Sequence, residues 1–167
     1  MQIALTGTPG TGKTTVAKLL PYKVIDINAL VKGGMNLGID QERGCLEADM
    51  DALAGQLEEM DNEEISILEG HFAHHFVNWA IVLRLSPSAL RSRLEARGYP
   101  MEKTRENLEA EALDVILVEA VEFCSRVDEI DTTGRSPPEV AELVTRIIKG
   151  ELVQPPGQVD WLISFYG

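Results

Sequence analysis

The chain has 167 residues, with 27 acidic against 15 basic side chains and a formal net charge of −12. That length suits one domain with a sizeable core, and 44% hydrophobic with 25% charged residues is a globular rather than a disordered composition. So acidic a chain is repelled by nucleic-acid backbones, and its apolar runs are too short to span a membrane. Only two cysteines occur, Cys45 and Cys124, in no metal-like spacing. With no signal-peptide pattern either, a reducing cytoplasm is the expected setting.

In chain order, the apolar run Gln2–Thr6 leads into a glycine-rich turn. Further short runs at Val24–Ile27, Ile65–Leu68, Trp79–Leu85 and Val127–Ile130 alternate with helical periodicity. The pattern predicts an α/β fold with a parallel sheet of about five strands between helices. Residues 28–44 read as an irregular insertion. Ser86-Pro87 predicts a helix capped by a serine hydroxyl, with Leu90 and Leu94 on one face. A long helix is expected from about Lys103 to Cys124, with Leu113, Leu117, Val121 and Cys124 on one stripe. Ser136-Pro137-Pro138-Glu139 predicts a capping box before Val140, Leu143, Val144, Ile147 and Ile148. The last eighteen residues hold Trp161, Phe165 and Tyr166, so this tail is expected to dock.

The most informative segment is Gly7-Thr8-Pro9-Gly10-Thr11-Gly12-Lys13-Thr14-Thr15, which satisfies G-x-x-x-x-G-K-[ST] between a predicted strand and a predicted helix. Glycines such as Gly10 and Gly12 let successive N–H groups turn towards an anion, where a side chain would collide with phosphate oxygen. The start of the following helix adds its positive dipole end. Lys13 can reach the β- and γ-phosphates of ATP, the Thr14 hydroxyl suits Mg²⁺, and Thr15 can donate to the α-phosphate. A Mg²⁺–nucleotide site also needs a carboxylate at a nearby strand end to hold the ion through water, and Glu69 is placed for that, unless it is an acid that simply ends the strand.

All three histidines fall in His71-Phe72-Ala73-His74-His75. Polar contact to an acceptor nucleotide or a water, and a plain surface turn, are both open. A zinc site would want a third ligand, and no cysteine lies nearby in sequence. Between Ser88 and Arg105, five cations (Arg91, Arg93, Arg97, Lys103, Arg105) face only Glu95 and Glu102. Arg93 and Arg97 share a helix face, and Gly98-Tyr99-Pro100 breaks the helix into a short flap. Arginine forks there would neutralise a transferring phosphoryl group, unless this is simply a solvated basic helix. Asp131-Thr132-Thr133 could cup an adenine or merely link a strand to a helix. Acidic residues concentrate at 40–64, with ten, and 106–131, with nine, where Arg43 and Arg126 are the only cations. They read as an acidic shell around an anion site.

Gly7–Thr15, Glu69-Gly70-His71 with His74, Arg93, Arg97-Gly98-Tyr99, Lys103, Glu106-Asn107 and Asp131-Thr132-Thr133 together resemble the archaeal and nuclear-type adenylate kinase family, over nearly the whole chain. The resemblance implies a P-loop nucleoside monophosphate kinase fold. It would have a monophosphate-binding insertion at about 26–48, followed by the paired acids Asp49 and Asp51, and a short lid at about 96–106. It also implies Mg²⁺ and ATP as cofactor and substrate, AMP or other monophosphates as acceptors, an ATPase activity, and site residues Lys13, Glu69, His71 and Arg97. A role in late maturation of the small ribosomal subunit, through a basic small-subunit ribosomal protein, comes with the same resemblance. Glu69-Gly70-His71 stands where ordinary adenylate kinases carry Asp-Gly-Phe-Pro-Arg, as in the atypical family. Two other readings stand beside it: an ATPase assembly factor with little kinase activity, and a P-loop kinase of a small hydroxyl substrate, with Glu69, Asp49 or Asp51 as base.

Overall fold

The computed structural model describes residues 1–42, 44–62 and 64–166. Its centre is a five-stranded parallel sheet in the order β2-β5-β1-β6-β7, formed by β1 (Gln2–Thr6), β2 (Lys23–Asp26), β5 (Ser66–Glu69), β6 (Trp79–Arg84) and β7 (Arg126–Asp131). The three central strands β5, β1 and β6 are largely apolar on both faces because both are covered, whereas the edge strands β2 and β7 carry charged residues. Ile3, Leu5, Ile81 and Leu83 point to one layer, where they meet α1 (Lys13–Ala17) and α7 (Pro137–Ile148). Ala4, Ala80 and Val82 point to the other, against α2 (Ile27–Lys32), α3 (Met50–Met60) and α6 (Val115–Phe123). A third cluster joins Leu90 and Leu94 of α4 (Pro87–Ala96) to Leu108 of α5 (Met101–Ala112).

The α7 helix forms as its sequence dictates. Ser136 accepts from the Glu139 N–H, and the Glu139 carboxylate accepts from the Ser136 N–H, a complete capping box. Val140, Val144 and Ile147 then bury on one stripe, each contributing about 2 kcal/mol of transfer free energy.

Several expectations need correction. Residues 28–44 are not irregular throughout: α2 is capped by the Asp26 carboxylate, and β3 (Asn36–Asp40) pairs antiparallel with β4 (Cys45–Ala48). Arg43, one of the two cations of the acidic segments, lies outside the described residues. Ser86 makes no side-chain cap; its N–H instead donates to Thr133 Oγ1 at 2.9 Å. The long helix at 103–124 is two helices, broken at Asp114, whose φ of 57° is left-handed. Leu113 and Val121 consequently face solvent, while Leu117 and Cys124 are buried.

The acidic segment 106–131 is also less of a shell than its count suggests. Glu111, Asp128 and Glu129 are buried. Arg84, at the C-terminal end of β6, donates to Glu111 Oε1 at 2.8 Å and Glu129 Oε1 at 2.6 Å, and pairs with Asp114. Burial opposes the guanidinium charge, but Glu111 and then Asp114 raise its pKa above the usual value. Asp128 accepts from Trp79 Nε1, Arg126 Nε and the Gln154 N–H.

The tail does dock. Glu129 Oε2 accepts the Gly157 and Gln158 N–H groups, each at 2.8 Å, and Phe165 of α8 (Leu162–Tyr166) packs on the α4–α5 cluster. Glu129→Ala should therefore release the tail and strand Arg84 beside fewer partners. We expect a loss of about 3 kcal/mol in urea unfolding, with new protease cleavage beyond residue 150. An unchanged midpoint and digest would refute this.

Candidate active site

The C-terminal ends of the parallel strands converge on one edge of the sheet, where ligands sit in open α/β folds. There β1 delivers the phosphate loop, β5 delivers Glu69, β2 delivers Asp26, and β7 delivers Asp131-Thr132-Thr133. Loop geometry requires its glycines. At Gly7, with φ 141°, a Cβ would lie 2.4 Å from the Leu83 carbonyl oxygen. At Gly10, with φ 97°, it would meet Leu90 Cδ1 at 2.7 Å, so the loop backbone rests directly on α4.

Lys13 is buried, and its Nζ donates to the Gly7 carbonyl at 2.8 Å and the Thr8 carbonyl at 3.0 Å. Desolvation lowers its pKa to about 8, only partly opposed by the charges of Glu69 and Glu111. Thr14 and Thr15 open α1 with exposed side chains, and Thr14 Oγ1 donates to Glu69 Oε1 at 3.2 Å. Burial raises the Glu69 pKa, against the pull of Lys13. Hydroxyl and carboxylate oxygens side by side are the hard donors Mg²⁺ prefers, so Thr14 and Glu69 fit that ion.

Arg93 Nη1 donates to the Gly10 carbonyl at 3.3 Å. Arg93 and Arg97 line a cleft of about 190 Å³ with Thr11, Gly12, Thr15 and Thr132. The structure thus brings the phosphate loop, both arginines and the Asp131–Thr133 segment to one opening. Lys103 lies elsewhere on the flap, with Nζ 5.2 Å from the Tyr99 ring centroid.

His71 leaves β5 two residues after Glu69, with part of its ring in solvent. Desolvation, and next the Lys13 charge, lower its pKa to about 4, so at neutral pH it is an uncharged hydrogen-bonding group. Asp49 is committed to capping α3, accepting from the Ala52 N–H at 3.0 Å. Sequence reasoning missed Glu111, whose Oε2 accepts from the Thr8 hydroxyl at 2.5 Å. It also missed Asp26, the register partner of Glu69 on β2. Neither carries a motif; Glu111 is one acid in an acidic helix 103 residues from Thr8.

Because Lys13 is held near its titration point, anionic phosphate should draw a proton onto it. ATP affinity should fall as pH rises above 8, with net proton uptake on binding. Calorimetry in buffers of different ionisation enthalpy measures that uptake. Binding without uptake at pH 8.5 would show that Lys13 is already fully charged.

Comparison with known proteins places this geometry in a family. A family model described as an AAA domain matches residues 3–114. A protein of Methanothermobacter thermautotrophicus named "Putative adenylate kinase" is 52% identical, over 97% of this chain and 99% of its own. Proteins of the same name from Methanosarcina barkeri and Archaeoglobus fulgidus are 46% and 47% identical, over 97% of this chain and 98% and 92% of theirs. In fold, the thymidylate kinase of Candida albicans aligns at TM-score 0.57 and 13% identity, over 89% of this chain and 91% of its own. The shikimate kinase of Acinetobacter baumannii aligns at 0.54 and 18%, over 89% and 93%. The sheet with its phosphate loop is a P-loop kinase fold, and the chain belongs to the archaeal-type adenylate kinase family of ATP-dependent phosphotransferases.

Proposed function

We propose that the protein transfers the γ-phosphate of Mg·ATP to AMP or another nucleoside monophosphate, releasing two nucleoside diphosphates. The observation that carries this reading is the single cleft shared by the phosphate loop, Arg93 and Arg97. A monophosphate acceptor is already an anionic nucleophile, so positioning and charge neutralisation suffice and no base is needed. Gly10, Gly12, Lys13, Thr14 and Thr15 bind the ATP phosphates. Thr14, and Glu69 through water, hold Mg²⁺, which when bound neutralises charge on the phosphate oxygens. Arg97 moves onto the transferring group as the flap at 96–106 closes. His71, uncharged, orients the acceptor or, in the ATPase side reaction, a water. The segment at 26–48, with α2 and the β3–β4 hairpin, receives the monophosphate. A hydroxyl-substrate kinase is less favoured, since Asp49 is occupied by its cap, Glu69 by Thr14, and Asp51 is exposed in the first turn of α3.

Lys13→Ala should abolish ADP formation, by about 10³-fold or more. Arg97→Ala should slow it about 10²-fold in kcat without moving the unfolding midpoint. ADP formation is compared with AMP, with other monophosphates and with ATP alone. ATP consumption independent of every monophosphate would sink the kinase reading in favour of an ATPase assembly factor.

A cytoplasmic role in late small-subunit and rRNA maturation rests on a narrower base, the acidic exterior. The described residues of the segment 40–64 are largely exposed, and complementary charge would speed capture of a basic small-subunit ribosomal protein. No helix among the described residues is long and apolar enough to cross a membrane. Pull-down with recombinant small-subunit proteins should give capture that weakens steadily as salt rises. Absence of capture at low salt would remove this partner.

A further inference from the structure

Outside the phosphate cleft, a short 3-10 turn (Ala73–Phe76) packs against α6 and turns two imidazoles onto one carboxylate. His74 Nε2 lies 3.2 Å from Glu119 Oε2, and His75 Nε2 lies 4.0 Å from the same oxygen. All three ligand atoms fall within 4.8 Å of one another. The rings are neighbours, with centroids 4.4 Å apart and planes tilted by 34°. We propose that His74, His75 and Glu119 form a binding site for one divalent transition-metal ion of the zinc class, with a fourth position open to solvent.

The spacing fits. Zinc–ligand bonds of about 2.0–2.1 Å in a tetrahedron put ligand atoms about 3.3 Å apart. The His74–Glu119 pair already has that separation. His75 and Glu119 carry side chains 26% and 42% exposed, so both can close the remaining gap and an ion can reach them from solvent.

Surrounding groups supply the orientation that metal-bound histidines need. With the metal on Nε2, His74 carries its proton on Nδ1, which lies 3.2 Å from the buried Thr6 hydroxyl. Cys124 Sγ donates to the His74 carbonyl at 3.3 Å and the Val77 carbonyl at 3.4 Å, pinning the turn's backbone without occupying the ligand set.

Electrostatics points the same way. Among the described residues, Glu119 has no lysine or arginine within ion-pair distance; its contacts are the two histidines. With no lysine or arginine beside it, that carboxylate lacks a fixed counter-charge, which a divalent cation supplies. Two nitrogens and one oxygen select zinc, cobalt, nickel or copper over magnesium. This site shares no ligand with the one assigned to Mg²⁺, so it stands or falls separately from the kinase reading.

The test is Co²⁺ titration of metal-stripped full-length protein in saturating Mg²⁺, followed by visible absorption, with Zn²⁺ added last. One Co²⁺ per chain, with ligand-field bands that Zn²⁺ abolishes, is expected. His75→Ala and Glu119→Gln should each weaken Co²⁺ binding by more than about tenfold. Zn²⁺ should also raise the unfolding temperature of the parent protein but not of either variant. Both substitutions fall on partly exposed side chains, and circular dichroism checks their folding. Absence of Co²⁺ binding by the parent overturns the proposal, as does equal binding by parent and both variants.

Discussion

Arg84 is the interaction on which the nucleotide end of the molecule depends. A single guanidinium, 1% exposed, faces three carboxylates delivered by three different elements: Glu111 from α5, Asp114 from the α5–α6 junction and Glu129 from β7. Such a cluster is tolerable only if the excess negative charge is met by other donors. It is. Glu111 accepts from the Thr8 hydroxyl and the Leu85 N–H, and Glu129 accepts two tail N–H groups. The same bonds that satisfy the buried charges tie the phosphate loop, the flap helix and the C-terminal tail to one strand end. Loop position, flap position and tail docking are therefore not independent properties of this chain.

That dependence accounts for a feature with no local cause. The helical pattern runs through Ala112-Leu113-Asp114 without a glycine or proline, yet the backbone turns left-handed at Asp114. A non-glycine residue there costs on the order of 1 kcal/mol. The ion pair to Arg84 offsets it, and the turn releases α6 to pack Leu117 and Ala120 beneath the sheet while α5 stays with α4.

Legibility in the sequence divides along the same line. Features set within a few residues were readable: the glycine-lysine loop, the five sheet strands, the capping box at Ser136, and Leu90 with Leu94 on one face. Features set by charges far apart in sequence were not. Glu111, Asp128 and Glu129 look like members of an acidic surface run until Arg84, Trp79 and the tail are placed beside them. The histidines lacked a third ligand in sequence because Glu119 stands 45 residues from His74. The overlooked β3–β4 hairpin has a different cause. Its strands bury little, so neither alternation nor an apolar run marks them.

Lys13 of the phosphate loop and Glu69 at the end of β5 have their pKa values shifted in opposite senses. Burial lowers the pKa of Lys13 and raises that of Glu69, so the protein by itself supports each charge at a cost. In the proposed reaction both costs are recovered by the substrate: polyphosphate would stabilise the lysinium, and the cation it carries would stabilise the carboxylate. Neither partner alone compensates both groups. Metal-free nucleotide leaves Glu69 disfavoured, and free Mg²⁺ leaves Lys13 bound only to the Gly7 and Thr8 carbonyls. In the proposed reaction this pair would thus favour the metal–nucleotide complex over its components, before the arginines take any part.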